Sequence, residues 1–313
     1  MTIEQILEDI KSPRVKKVIL DADMYNEMDD QYALAYCIGC EKIDLLSVNA
    51  APFYNGRSVD WETGMVDSYN EILRMYEVCG IDPNKVPAYE GARAKYSEEN
   101  GFAPMDTPAA RNIIKTVKES DEIIYVLTTG CCTNVTSACL IDPSIKDNMC
   151  VIWLGGHEIS HTNCWEFNLA QDYFAGQLLI NSGVPMVLLP AGNAEGSLGG
   201  TIQLAISIDD LKQIKGDGKV QRFFAVDLPA EFISTPEKPN VAGWVNGMRC
   251  LWDVAAPATL SVPEAFDFWI IPAPIFGDDH KYAFDKTRHK IIYMNKLDPK
   301  MVLDDTYRSI ERI

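Results

Sequence analysis

Between positions 21 and 30 the chain carries four aspartates, Asp21, Asp23, Asp29 and Asp30, in the stretch KKVILDADMYNEMDDQYALAYCIGC. They arrive directly after residues 16–20, which read as a buried strand. Carboxylates at this density repel one another unless a cation or shared protons relieve them. An all-oxygen donor set suits a hard divalent ion, calcium or magnesium rather than zinc. A plainer reading has Asp29 and Asp30 capping a helix and complementing its dipole. That reading leaves Asp21 and Asp23, at the end of a strand, unexplained. Further polar clusters follow later apolar runs, at 49–55, 128–134 and 157–168.

The elements that must position these groups alternate along the chain. KVILDA precedes a helical pattern over 30–40, and DLLSVNAAP precedes an amphipathic run over 61–78. EIIYVLTTG leads into TNVTSACLI, and MCVIWLGG leads, after a loop, into AQDYFAGQLLINSG and then VPMVLLPAG. Apolar strands alternating with helices predict an α/β fold, an open and mostly parallel sheet with helices on both faces. Asn134 or Thr133 is expected to cap the helix after Gly130, and NSG at 181–183 to end one. Residues 191–250 are less regular, and 262–293 are broken by prolines and rich in aromatics. No linker divides the chain, so 1–313 reads as one domain. Ligands of open parallel sheets bind outside the carboxyl ends of the strands, where every polar cluster falls.

Composition bounds the partners. The 313 residues are 47% hydrophobic, enough for a large core, and carry 45 acidic against 28 basic side chains, a net charge of -17. Such a surface repels phosphate backbones and argues against nucleic-acid polymers. No run approaches the ~18 apolar residues of a membrane span, and the first residues lack a signal-peptide pattern. A soluble, cytoplasmic protein without membrane contact is expected, its nine scattered cysteines reduced and mostly buried. Cys37 and Cys40 have C-x-x-C spacing inside an apolar helical pattern, which favours packing over redox or zinc chemistry. His157 and His161 bracket a formal H-E-x-x-H, but a glycine pair precedes it and helical periodicity is missing, so it does not read as a zinc-protease helix.

Two families begin with a strand and D-x-D. Haloacid-dehalogenase-type phosphatases usually carry Thr or Val two residues past the second aspartate, where this chain has Tyr25, and no later lysine and acidic motif completes that set. The chain resembles the nucleoside hydrolases more closely. Their D-x-D-P-G-x-D-D-A has its counterpart in DADMYNEMDDQYA, with MYNEM in place of the three residues between the aspartate pairs. LLSVNAAPFYNGRS, LTTGCCTNVTSAC, VIWLGGHE, WEFNLAQDYFAG, LWDVAAPATL and the strand and helix of the tail follow in the family's order, covering about 16–311.

The resemblance implies a Rossmann-like core, hydrolysis of the N-glycosidic bond of ribonucleosides, a calcium cofactor, and a homodimer or homotetramer. By position, Asp23, Asp30 and Asp253 would be carboxylate ligands, with the main-chain carbonyl of Thr129. Asp29 would be the general base, with Asp21 behind the ligands. Glu166 and Asn168 would hold ribose hydroxyls, with Asn163 and Asn55 as further contacts. Trp252 stands where common members have a histidine that protonates the leaving base. Trp252 or Trp165 could stack on the base or serve as core aromatics. His157, Glu158 or His161 could contact the base, replace the acid, or form an exposed loop. Other outcomes stay open at this point: another N-riboside such as nicotinamide riboside, a non-catalytic nucleoside-binding protein, or a metal-dependent phosphatase.

Overall fold

The computed structural model of the protein describes residues 1–161, 163–192, 199–233 and 247–313, so part of the irregular stretch at 191–250 lies outside the described residues. The first half alternates as read, with α1, β3 and α4 in addition: α1 (Ile3–Lys11), β1 (Lys16–Ala22), α2 (Asp29–Gly39), β2 (Ile43–Ala50), α3 (Trp61–Cys79), β3 (Ala88–Tyr89), α4 (Pro108–Glu119), β4 (Ile124–Thr128) and α5 (Thr133–Ile141). Then come β5 (Met149–Leu154), α6 (Phe167–Gln171), α7 (Tyr173–Asn181) and β6 (Met186–Leu189). Beyond it lie β7 (Ala205–Ser207), α8 (Lys219–Arg222), α9 (Leu228–Glu231), β8 (Met248–Cys250), α10 (Ala255–Ser261), β9 (Phe266–Pro272), β10 (Ile275–Phe276), β11 (Tyr282–Ala283), β12 (Lys290–Leu297) and α11 (Pro299–Glu311).

Eight strands form one sheet in the order β3-β2-β1-β4-β5-β6-β12-β9. Every neighbouring pair is parallel except β12 with β9, an antiparallel edge. Side chains alternate between two cores, as strand geometry requires. Val18, Leu20, Tyr125, Leu127, Cys150 and Ile152 enter one core with residues of α2, α10 and α11. Ile19, Ile124, Val126, Met149, Val151 and Trp153 enter the other with residues of α4, α5 and α7. Both faces are therefore covered, the arrangement the apolar strands predicted. Strand order reverses direction between β1 and β4, which makes their carboxyl ends the topological switch point, the place where such sheets leave a crevice. No helix among the described residues is long and apolar enough to cross a membrane.

Candidate active site

The site grows from the end of β1. Asp21 is buried, and its Oδ2 accepts from Asn49 Nδ2 at 3.3 Å and Asn134 Nδ2 at 3.1 Å. Asn134 also donates to the Ala50 carbonyl at 3.0 Å and accepts from the Ala92 amide at 2.8 Å. This corrects the expectation of a cap: Cys132 is the N-cap of α5 without a side-chain bond, Asn134 points into the protein, and the Thr133 hydroxyl donates to Asp172. Three buried partners for Asn134 and Asp172 for Thr133 offer these polar side chains more than a helix end would.

After Asp23, residues 24–28 turn into α2. Its N-cap is Met28, with no side-chain capping bond, and Asp29 and Asp30 lie buried in the first turn. Capping alone therefore does not account for them. Asp253 joins from the opposite end of the chain, on a 3-10 turn that leads into α10. Ligand atoms of Asp29, Asp30 and Asp253 all lie within 4.8 Å of one another. Asp30 accepts the Thr129 hydroxyl at 2.7 Å. Asp23 packs beside Gly130, where a Cβ would stand 3.0 Å from its carboxyl carbon, and its Oδ2 is buried without a hydrogen-bond partner.

Burial, reinforced by the neighbouring carboxylates, raises the proton affinity of the whole group. Asp29 and Asp30 are each pushed up to about 6, Asp21 to about 7. Asp23 and Asp253 are raised well above the carboxylate range, by burial first and then by repulsion from their aspartate neighbours. Carboxyls this close and this dry must share protons or a cation. The orphaned oxygen of Asp23 and the all-oxygen donor set fit a hard divalent ion.

A second wall descends from β5. Glu166 caps α6: its Oε1 accepts the Asn168 amide at 3.0 Å, and its Oε2 the amides of Gly156 at 2.9 Å and Leu169 at 3.2 Å. Burial still pushes it up to about 7, against those bonds. Asn168 donates to the carbonyls of Thr129, at 2.7 Å, and Leu154, at 3.1 Å, using both amide hydrogens. His157 Nδ1 lies 2.8 Å from the Gly192 carbonyl. A carbonyl only accepts, so Nδ1 carries the hydrogen, and burial lowers the ring's proton affinity. Residues 157–161 form loop and turn with no helix, which removes the zinc-protease geometry.

These walls enclose a cavity of about 310 Å³, within the range of small-molecule sites. Of the residues singled out from sequence, Asp23, Asp29, Thr129, Asp253, Glu166, Asn168, His157 and Trp252 line it. Asp30 stands behind them in the carboxylate cluster. Asn55 reaches the cavity only through Asn26, to whose Oδ1 it donates at 2.5 Å. Asn163 is not among the described lining residues; its Oδ1 accepts the Trp165 amide at 2.7 Å. Trp165 packs against His280, ring centres 3.7 Å apart and planes tilted by 37°, and faces a different hollow. Sequence reading missed Asn26, Glu27, Phe167 and Ile202, all of which line the cavity. Asn26 and Glu27 lay in plain view between the aspartate pairs, but their types carried no signal by themselves.

Comparison with known proteins supplies the wider setting. The family model described as inosine-uridine preferring nucleoside hydrolase matches residues 18–290. A pyrimidine-specific ribonucleoside hydrolase, RihA, of Escherichia coli O127:H6 is 28% identical over 172 residues, 54% of this chain and 52% of that protein. The matched segment thus spans about half the length of the curated relatives. Among solved structures, a purine-preferring ribonucleoside hydrolase from Gardnerella vaginalis superposes with a TM-score of 0.69 at 22% identity, over 95% of this chain and 98% of that one. An inosine-guanosine nucleoside hydrolase gives 0.72 at 16% identity, over 96% and 99%. At these identities the likeness is one of fold.

Proposed function

This chain belongs to the family of inosine-uridine preferring nucleoside hydrolases, and on that premise we propose that it hydrolyses the N-glycosidic bond of ribonucleosides, releasing ribose and a free base. The observation that carries the reading is the convergence of Asp23, Asp29, Asp30 and Asp253 at the switch point of the sheet, on one side of a nucleoside-sized cavity. Asp23, Asp30, Asp253 and the Thr129 carbonyl would hold the cation, calcium by the family resemblance, which would acidify water and bind vicinal sugar hydroxyls.

Asp29 lines the cavity and takes one proton from the attacking water as its oxygen bonds to C1; the C1–N electron pair leaves on the base nitrogen, which gains its proton from solvent. Glu166 and Asn168 orient the ribose, fixed themselves by main-chain groups. Trp252, Phe167 and Ile202 offer an apolar wall to the flat base. His157 is held at Nδ1 by the Gly192 carbonyl, and burial lowers the ring's proton affinity, which does not favour it as an acid. The reading carries with it residues 1–313 as one domain, a cytoplasmic setting, and a homodimer or homotetramer, which sedimentation would test.

The deciding experiment is reducing-sugar release from purine and pyrimidine ribonucleosides and nicotinamide riboside, with calcium, after chelation, and with Asp29→Ala. Calcium-dependent release is expected, reduced about 10²- to 10⁴-fold in the variant. If no riboside is cleaved with calcium present, the hydrolase reading fails. Binding without turnover would point to a nucleoside-binding protein, and phosphate release from nucleotides to a phosphatase.

A further inference from the structure

The cavity wall between the aspartate pairs is a fixed structure. The Asn26 side chain accepts from Asn55 at 2.5 Å, and its carbonyl accepts from Arg57 at 3.4 Å. The Arg57 guanidinium lies 4.2 Å from the centre of the Tyr25 ring. Arg249, from β8, donates to Glu27 Oε2. Loop 24–28 is therefore pinned from two distant parts of the chain, and Glu27 cannot swing away from the cavity it lines.

A carboxylate is a costly way to finish a wall that already holds Asp23, Asp29 and Asp253. Arg249, 5% exposed, offsets that charge from behind, while Glu27 keeps 26% of its side chain open. A mere clip between loop and strand would need neither that opening nor a place on the cavity surface. Burial and the neighbouring Asp29 raise the proton affinity of Glu27 to about 7, while the paired Arg249 favours the carboxylate form; that form accepts hydrogen bonds and donates none, so it suits a neutral donor.

From this geometry we infer that Glu27 is a specificity-determining residue that accepts a hydrogen bond from an O–H or N–H of the bound riboside. The inference rests on the nucleoside reading of the same cavity. The donor has two possible sources, the ribose 2′-hydroxyl or the exocyclic amine of the leaving base, and matched substrates separate them: adenosine against 2′-deoxyadenosine for the sugar, adenosine against purine riboside for the base.

The test compares kcat/KM for these three substrates in the calcium-loaded full-length wild type, Glu27→Gln and Glu27→Asp. Calorimetric affinities replace the rates if turnover is absent. Glutamine keeps the shape and removes the charge; aspartate keeps the charge on Arg249 and withdraws it by one methylene. Loss of a hydrogen bond to a charged group is expected to shrink the preference within one of the two pairs about tenfold or more, chiefly through KM, in both variants. Melting temperatures near that of the wild type show that the loop still folds. Equal losses on all three substrates, or preferences that survive both substitutions, overturn the inference and leave the hydrolase reading standing. A wild type that neither turns over nor binds any riboside removes both.

Discussion

At the scale of single residues, the acidic cluster ties the fold to pH and to metal. Asp21, Asp29 and Asp30 have affinities raised to about 7, 6 and 6 in the folded chain, against about 3.9 in an unfolded one. Their protonated forms therefore favour the fold. That contribution is complete below about pH 4 and is lost as pH rises through 6 to 7. A divalent cation held there, as proposed, would take the ionised cluster and relieve the repulsion. The gain in melting temperature from calcium over chelator should therefore grow from about pH 5 to about pH 8. It should disappear in Asp253→Asn, which leaves Asp29 and Asp30 with one carboxylate fewer. Differential melts across that range check this, and a gain independent of pH would contradict it.

At the scale of elements, the cluster is only as well placed as α2. This helix is buried along most of its length, so it reads as apolar rather than amphipathic, and it packs backbone to backbone on α11. A Cβ at Gly39 would stand 1.8 Å from the Ser309 carbonyl oxygen. Alanine gains roughly 1 kcal/mol in helix propensity over glycine, but a backbone oxygen cannot step aside as a side chain can, so the clash wins. Gly39→Ala is expected to destabilise by about 1–3 kcal/mol, lowering the melting temperature by several degrees. It should also weaken calcium binding, because α2 carries Asp29 and Asp30 at its other end. A stable variant with unchanged calcium affinity would show that α2 has slack.

Another element shows where local pattern misleads. AQDYFAGQLLINSG reads as one helix, yet the structure breaks it at Asp172 into α6 and α7. The Asp172 carboxylate caps α7 through the Ala175 amide and also takes the Thr133 hydroxyl and the Tyr96 amide. The last two partners come from distant segments, and no periodicity within 170–183 could have announced them.

At the scale of the whole molecule, coverage of both sheet faces decides the fate of the cysteines. All nine are buried and free, and burial pushes thiols such as Cys79 and Cys139 up to about 12. Cys37 and Cys40 serve packing, as their apolar setting suggested; Cys40 lies 3.2 Å from the Ser261 hydroxyl. Native protein at about pH 8 should therefore react with almost no thiol reagent, because the buried thiols are not reachable, and should release nine thiols on unfolding. Several reactive thiols in the native state would contradict the packing described.

The sequence by itself determined the alternation of strand and helix, the parallel sheet covered on both faces, and the aspartates at the end of the first strand. These are local properties: periodicity selects the element, and residue type selects the chemistry. The tertiary structure decided what meets what. It brought Asp253 across the chain to Asp29 and Asp30, turned Asn134 inward to Asp21, kept Asn163 and Trp165 from the described cavity wall, and set Arg249 behind Glu27. Such contacts join residues tens to hundreds of positions apart. They follow from the order in which strands pair and from the space left at the switch point, and neither is written in any single segment.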